Sequence, residues 1–298
     1  MLPVRKIYID SRFRSSDSIS STDFKVDLPM TYYMPENTGL FITDLCIPVS
    51  WYMIDANRNN QLYFRVYRGL DSSGNNNYEV FVSTIPSGNY NITSLASAIG
   101  AAMNTNRVHA DGTTTGLSIG TFTATANLTT NTISIQNDVP QPQTPPFLGY
   151  PFKILTDAEL PASGITAVPN SINKVLQNTT AATSYSRFYQ SGELDMHPIR
   201  NLYLSSPNLG KFDTLNITGD QSVVKKIPVN ANYNEMIYDQ VVLPYDYIDV
   251  SKQTLRRLEF QLKDIYGGNI NLQGDHWSFS LLFAKIQDGW CIFSKTIV

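Results

Sequence analysis

Between Leu255 and Phe283 the chain reads LRRLEFQLKDIYGGNINLQGDHWSFSLLF, and two alternating runs in it restrict the fold more than any other stretch. In the first, Leu258, Phe260 and Leu262 alternate with Glu259, Gln261 and Lys263. In the second, Trp277, Phe279, Leu281 and Phe283 alternate with His276, Ser278 and Ser280 and with Leu282. Successive side chains of a strand point to opposite faces, so each run predicts a strand with one bulky, buried face. Gly267-Gly268-Asn269 and Gln273-Gly274-Asp275 supply turn residues between them. The expected sequence is strand, turn, a short strand at Ile270 and Leu272, turn, and a long strand. That is antiparallel all-β structure.

Other segments repeat the pattern. Residues 6–10 alternate, and Phe24, Val26 and Leu28 form a strand expected to stop at Pro29. Leu40 to Trp51 is nearly continuously apolar, as in a strand covered on both faces. Further strands are expected at Leu62–Val66, Tyr78–Val82, Phe152–Leu155, Leu202–Leu204, Leu215–Ile217, Val223–Val229 and Met236–Leu243. Phe122–Ala126 and Thr132–Gln136 read as a hairpin around Asn127–Asn131. One helix is expected, with Asn91 or Thr93 as N-cap and Ile92, Leu95, Ala96, Ile99 and Met103 as its apolar stripe. Ser171–Leu176 reads as a helical turn and 177–191 as an exposed loop. The Pro-dense run VPQPQTPPFLGYP cannot lie in a central strand and marks a boundary. The whole predicts a single antiparallel jelly-roll β-sandwich with an insertion and one or two short helices. Residues 1–104 and 151–298 make the jelly roll, and 105–150 the inserted loop or subdomain.

Charged residues are only 16% of the 298, against roughly a quarter in average globular chains, while Tyr and Phe number 17 and 14. A weakly charged surface suits coverage by neighbouring subunits, because interface cores are depleted in charge. A net charge of −3 does not favour a nucleic-acid binder. The two cysteines, Cys46 and Cys291, are too few for a disulfide framework and fit synthesis in a reducing cytoplasm. No apolar run is long enough to span a bilayer.

Each class of site chemistry requires its own residue pattern. The three histidines, His109, His197 and His276, have no partner at metal-ligand spacing. There is no G-x-S-x-G elbow, and neither cysteine has a neighbouring base. Asp27, Glu259 and Asp264 fall on polar faces or in turns, which does not suit a glycosidase pair. Gly267-Gly268 lacks the Lys and Ser/Thr of a phosphate loop. No catalytic, metal or cofactor site is predicted, and the chain is expected not to be an enzyme. Arg5, Lys6, Arg12 and Arg14, interleaved with Tyr8 and Phe13, remain. They read either as a strand with a solvated edge or as an arm touching packaged nucleic acid or an adjacent subunit.

Several segments together resemble a known family. YIDSRFRSS followed by a strand ending in Leu-Pro, then ITDLCIPVSWYMID, is similar to the opening of the penton (vertex) capsid proteins of virophages and Polinton (Maverick) elements. VVKKIPVNANYNEMIYD and DYIDVSKQTLRRLEFQLKDIYGGNINLQGDHWSFSLLF resemble that family's C-terminal half. The resemblance spans residues 6–100 and 195–283; the tail 284–298 is not part of it. It implies a single jelly roll forming homopentamers at icosahedral vertices and contacting trimers of a double jelly-roll major capsid protein. It also implies residence in the virion after assembly in the host cytoplasm, with packaged DNA or a host surface as further partners. A second reading is a receptor- or carbohydrate-binding sandwich of fibre-head type, using Tyr90, Tyr185 and Tyr189. A β-sandwich hydrolase is the third.

Overall fold

The computed structural model describes residues 5–56, 58–111, 119–138, 150–165, 170–209, 222–240, 246–287 and 290–291. In chain order its elements begin with β1 (Arg5–Asp10), β2 (Asp23–Tyr33), β3 (Thr38–Pro48), β4 (Gln61–Leu70), β5 (Asn76–Thr84) and helix α1 (Ile92–Thr105). Next come β6 (Arg107–His109), β7 (Thr121–Asn127), β8 (Thr132–Asp138), β9 (Phe152–Ile154), α2 (Asn173–Leu176) and β10 (Phe188–Gln190). The chain closes with β11 (Asn201–Ser205), β12 (Val223–Pro228), β13 (Met236–Asp239), β14 (Ile248–Asp249), β15 (Thr254–Lys263), β16 (Ser278–Gln287) and β17 (Trp290–Cys291). Two compact units divide these elements: Met1–Trp51 with Ile199–Val298, and Tyr52–Pro198.

The first unit contains two antiparallel sheets. One has the order β1-β16-β3-β13, with β14 also pairing β3 and β17 pairing β16; the other has the order β12-β11-β15-β2. Lettered B to I in chain order, with β14 and β17 as additions, the eight main strands read B-I-D-G and C-H-E-F. That is the strand order of a single jelly roll. The two predicted runs of 255–283 are its strands H and I, β15 and β16. Leu258, Phe260, Leu262, Trp277, Phe279, Leu281 and Phe283 are all buried in one core with Phe24, Leu40, Ile47 and Leu204. Phe24, Trp277, Phe279 and Phe260 form a closed ring of aromatic contacts, with centroids 4.8–5.8 Å apart. The indole Nε1–H donates to Ser21 O at 2.7 Å, so burying Trp277 leaves no polar atom unpaired.

Three local expectations are corrected here. Strand β2 does not stop at Pro29 but runs on to Tyr33. It is the outer strand of its sheet, and its pairing with β15 shifts register between Leu255 and Arg257. An edge strand with a bulge has no ladder position that needs the missing N–H. Ile270 and Leu272 are buried but form no strand, only a bridge between Lys263 and Asn269. The flanking turns hold them: Gln273 and Gly274 both take positive φ, 54° and 90°, as a tight two-residue turn demands. The stretch 177–191 is not all loop, since Phe188–Gln190 adds β10 to β8. The expected strand at Leu215–Ile217 lies outside the described residues, as does most of the Pro-dense run.

The second unit has a sheet of order β6-β5-β4-β9 and a sheet of order β10-β8-β7. Helix α1 starts at the predicted Asn91, whose side chain accepts from Ser94 N while Ser94 Oγ accepts from Asn91 N. It packs along β7, where Asn104 donates to Phe122 O at 2.8 Å and accepts from Phe122 N at 2.9 Å. Leu95, Ile99 and Met103 meet Phe64, Phe81, Phe122 and Ile135 in a separate core. This is why the insertion does not begin at 105 and end at 150. The hairpin β7–β8 buries its apolar face with α1 and β4 in that core, and Tyr52–Pro198 forms one compact unit.

Candidate interaction surface

The four N-terminal cations are divided between strand β1 and the connection that follows it. Arg5 and Lys6 belong to β1, which is paired with β16 from Arg5↔Phe283 to Asp10↔Ser278. The Arg5 guanidinium lies 4.1 Å from the centroid of the Tyr32 ring and donates to its hydroxyl at 2.9 Å, linking β1 of one sheet to β2 of the other. Lys6 pairs with Asp44, which sits at φ 49° where the β3–β16 ladder shifts register. The ammonium holds the Asp44 carboxyl below the usual carboxylate range. Arg12 binds both oxygens of Asp10, with Nη2 at 2.6 Å, and likewise lowers that carboxyl. Arg14 donates to Ser11 O at 3.0 Å. Arg12 and Arg14 stay exposed on the β1–β2 connection, on either side of Phe13, which is 82% exposed.

The jelly roll exposes Met30 and Tyr33 on β2 and, in the other sheet, a tyrosine on each edge strand. Tyr8 on β1 is 77% exposed and Tyr238 on β13 is 63% exposed. These two strands are opposite edges of the same sheet, and both tyrosines point away from the core, because Ile9 and Ile237 point into it. Between the edges, the outer face of that sheet holds Phe41, Ala284, Leu282 and Tyr247 in a small apolar cluster. The outer face of the other sheet is charged. Asp17, Lys25, Asp27, Arg257 and Glu259 form a chain of ion pairs across β2 and β15. At the remaining edge Lys225 on β12 pairs with Asp239 on β13 at 3.2 Å and donates to Ile42 O. It thus links the two sheets there, as Arg5 does at the β1–β2 edge.

The histidines stay apart. His109 lies on β6 against the Phe81 ring, His197 follows Asp195 in a loop, and His276 approaches Ser11 Oγ at 3.2 Å. Asp27 and Glu259 belong to the ion-pair chain, and Asp264 accepts from Tyr266 N and Gly268 N inside its turn. Among the described residues no group of three or more His, Cys, Asp or Glu is placed to hold a metal, and no helix is long and apolar enough to cross a membrane. Burial pushes the Cys46 thiol up, away from a reactive thiolate.

Of the tyrosines proposed for carbohydrate, the structure keeps only Tyr185 in a usable position. The Tyr90 hydroxyl donates to Pro86 O at 2.6 Å, and its ring packs on the core of the second unit. The Tyr189 hydroxyl is buried, which pushes that phenol upward. Tyr185 instead stacks on Tyr78, with centroids 5.0 Å apart, beside Tyr67. Sequence reasoning missed Tyr67 and Tyr78. The signal was present in the alternation of Tyr67 with Phe64 and Val66 and of Tyr78 with Phe81, which places both tyrosines on the face away from the core.

Fold and surface together define a single jelly roll with a separately cored unit inserted in the chain between β3 and β11. No protein-family model and no curated protein matches the chain. Among solved structures it is similar to the mavirus penton protein, at 12% identity and a TM-score of 0.44, covering 95% of this chain and 100% of that one. It is also similar to a chain in the cryo-EM structure of the Sputnik virophage, at 15% identity and a TM-score of 0.41, covering 96% and 98%. The jelly-roll assignment stands on the strand order itself.

Proposed function

We propose that the chain is a structural virion protein, a penton subunit that assembles as a homopentamer at icosahedral vertices. The observation that carries this reading is the pair of exposed tyrosine flanks on opposite edges of one sheet, Tyr8 on β1 and Tyr238 on β13. A ring of identical subunits needs two different patches on opposite flanks, so that each copy meets the next head to tail and the rotation closes. The resemblance of residues 6–100 and 195–283 to virophage and Polinton pentons supplies the number five, and the low charge agrees with a covered surface. The role is geometric and has no catalytic step. On this reading Arg12 and Arg14, exposed on either side of Phe13, meet a neighbouring subunit, a major capsid trimer or packaged DNA. Assembly in the host cytoplasm and residence in the virion follow from the same reading.

Light scattering on purified protein, alone and with salt and crowding agent, tests it. The expected mass is five times the 33.3 kDa chain. Changing Tyr8→Ser together with Tyr238→Ser should abolish the pentamer while leaving the melting temperature of the monomer unchanged. Monomers or trimers under every condition would overturn the proposal.

A further inference from the structure

We infer that the inserted unit carries a docking ledge for acidic glycans, built from Tyr67, Tyr78 and Tyr185 with Arg65 and Lys153. This goes beyond vertex assembly and does not depend on it. The ledge arises from the two faces of the β4–β5 sheet. Phe64, Val66 and Phe81 enter the core of the unit, so Arg65, Tyr67 and Tyr78 face the other way. Part of that outer face is covered: Tyr63, Val80 and Val82 pack under Leu155, Leu160 and Ile165. The cover ends where Ser163 Oγ accepts from Arg65 at 2.5 Å and Glu159 pairs with Lys153 at 2.5 Å. Beyond this border lie the three tyrosines. Tyr67 and Tyr78 are directly opposed across the two strands, with ring centroids 5.4 Å apart, and Tyr185 stacks on Tyr78.

Three properties of the ledge define its ligand. Tyrosine rings present a flat apolar face with a polar rim, which matches the C–H face and hydroxyl edge of a pyranose. The hairpin beside it is rich in amides. Tyr67 Oη donates to Asn76 Oδ1 at 3.2 Å, which leaves the amide N–H groups of Asn76 and its neighbour Asn77 for sugar hydroxyls. Positive charge borders the rings, with the Lys153 ammonium 5.6 Å from the Tyr185 centroid and the Arg65 guanidinium 5.9 Å from that of Tyr78. Among the described residues Glu159 balances Lys153, whereas no carboxylate forms an ion pair with Arg65. One uncompensated guanidinium beside an aromatic shelf selects a sugar carrying a carboxylate or sulfate over a neutral one.

The test is a glycan array holding neutral, sialylated and sulfated members, probed with the purified full chain and followed by titration with sialyllactose, a heparin-derived oligosaccharide and lactose. Saturable signal is expected on the sialylated or sulfated members and not on lactose. Tyr78→Ala and Arg65→Gln should each weaken it by about tenfold, the scale of one lost stacking or charge-assisted contact. Tyr185→Ala serves as the second aromatic variant should Tyr78→Ala fail to fold. Lys226→Gln, an exposed cation on the jelly roll, should leave binding unchanged. Absence of binding, binding confined to neutral glycans, or equal loss in Lys226→Gln would overturn the inference. None of these outcomes bears on the pentamer, whose mass is read separately.

Discussion

The jelly-roll frame and the inserted unit are both antiparallel β structures, yet they are held together differently. In the frame, two sheets face each other across one core, and cations join them at both open edges: Arg5 to Tyr32 at one and Lys225 to Asp239 at the other. In the insert, a helix takes the place of a facing strand, and Asn104 bonds the backbone of Phe122 as a strand neighbour would. The frame exposes Tyr8 and Tyr238 on the flanks of one sheet, Phe13 and Ile19 on the β1–β2 connection, Met30 and Tyr33 on β2, and Tyr233, Ile265 and Tyr266 in loops. The insert exposes Leu70, Tyr78, Val108, Leu128 and Phe188, of which Tyr78 belongs to the tyrosine ledge. The difference teaches that one chain can hold two units on separate cores, each with its own exposed aromatic surface.

Separate cores can be broken one at a time. Trp277→Ala opens a cavity in the closed aromatic ring of the frame and should cost about 3–5 kcal/mol. Hydrogen exchange should then show protection lost across β1–β3 and β11–β16 and kept in β4, β5 and α1. Phe122→Ala, which removes a ring packed edge-on against Phe64 and Phe152, should cost about as much and give the reverse pattern. Loss of protection in both units from either change would refute independent cores. A smaller effect is expected at the frame's edge. Lys225→Met removes an ammonium that pairs with Asp239 and donates to Ile42 O, and urea unfolding should register a loss of about 1–3 kcal/mol.

The smallest effect is electrostatic and belongs to the frame's first strand. Arg12 holds the Asp10 carboxyl, and Lys6 the Asp44 carboxyl, below the usual range. A carboxyl with a lowered folded pKa stabilises the fold above its unfolded value of about 4, and that contribution is lost as pH falls through the folded value. Thermal stability should therefore decline below about pH 4. Asp44→Asn should flatten part of that decline and lower stability slightly at neutral pH. An unchanged profile would show that the pair contributes nothing.

How much of this was legible in the sequence follows from the reach of each signal. The frame's inner faces were readable because period-two alternation in 24–28, 258–262 and 277–283 records burial directly. The insert's limits were not readable. Its boundary at Trp51–Tyr52 falls in an apolar run with no Gly or Pro cluster, and composition placed the break at the Pro-dense run instead. Pro29 misled for a related reason, since a proline ends a strand only when that strand has neighbours on both sides. The basic residues of the N-terminus left a solvated strand edge and an arm both open, because sequence shows their spacing but not their partners. Arg5 and Lys6 are occupied by Tyr32 and Asp44, residues 27 and 38 positions away. The ledge was half visible: Tyr185 was picked out, but pairing it with Tyr67 and Tyr78 requires the fold.

The account rests most heavily on the two flanks closing into a ring. Negative-stain electron microscopy of protein assembled in salt and crowding agent measures that directly. Class averages should show rings with five-fold symmetry, absent from the Tyr8→Ser/Tyr238→Ser variant. Three-fold or six-fold particles, or only dispersed monomers, would contradict it.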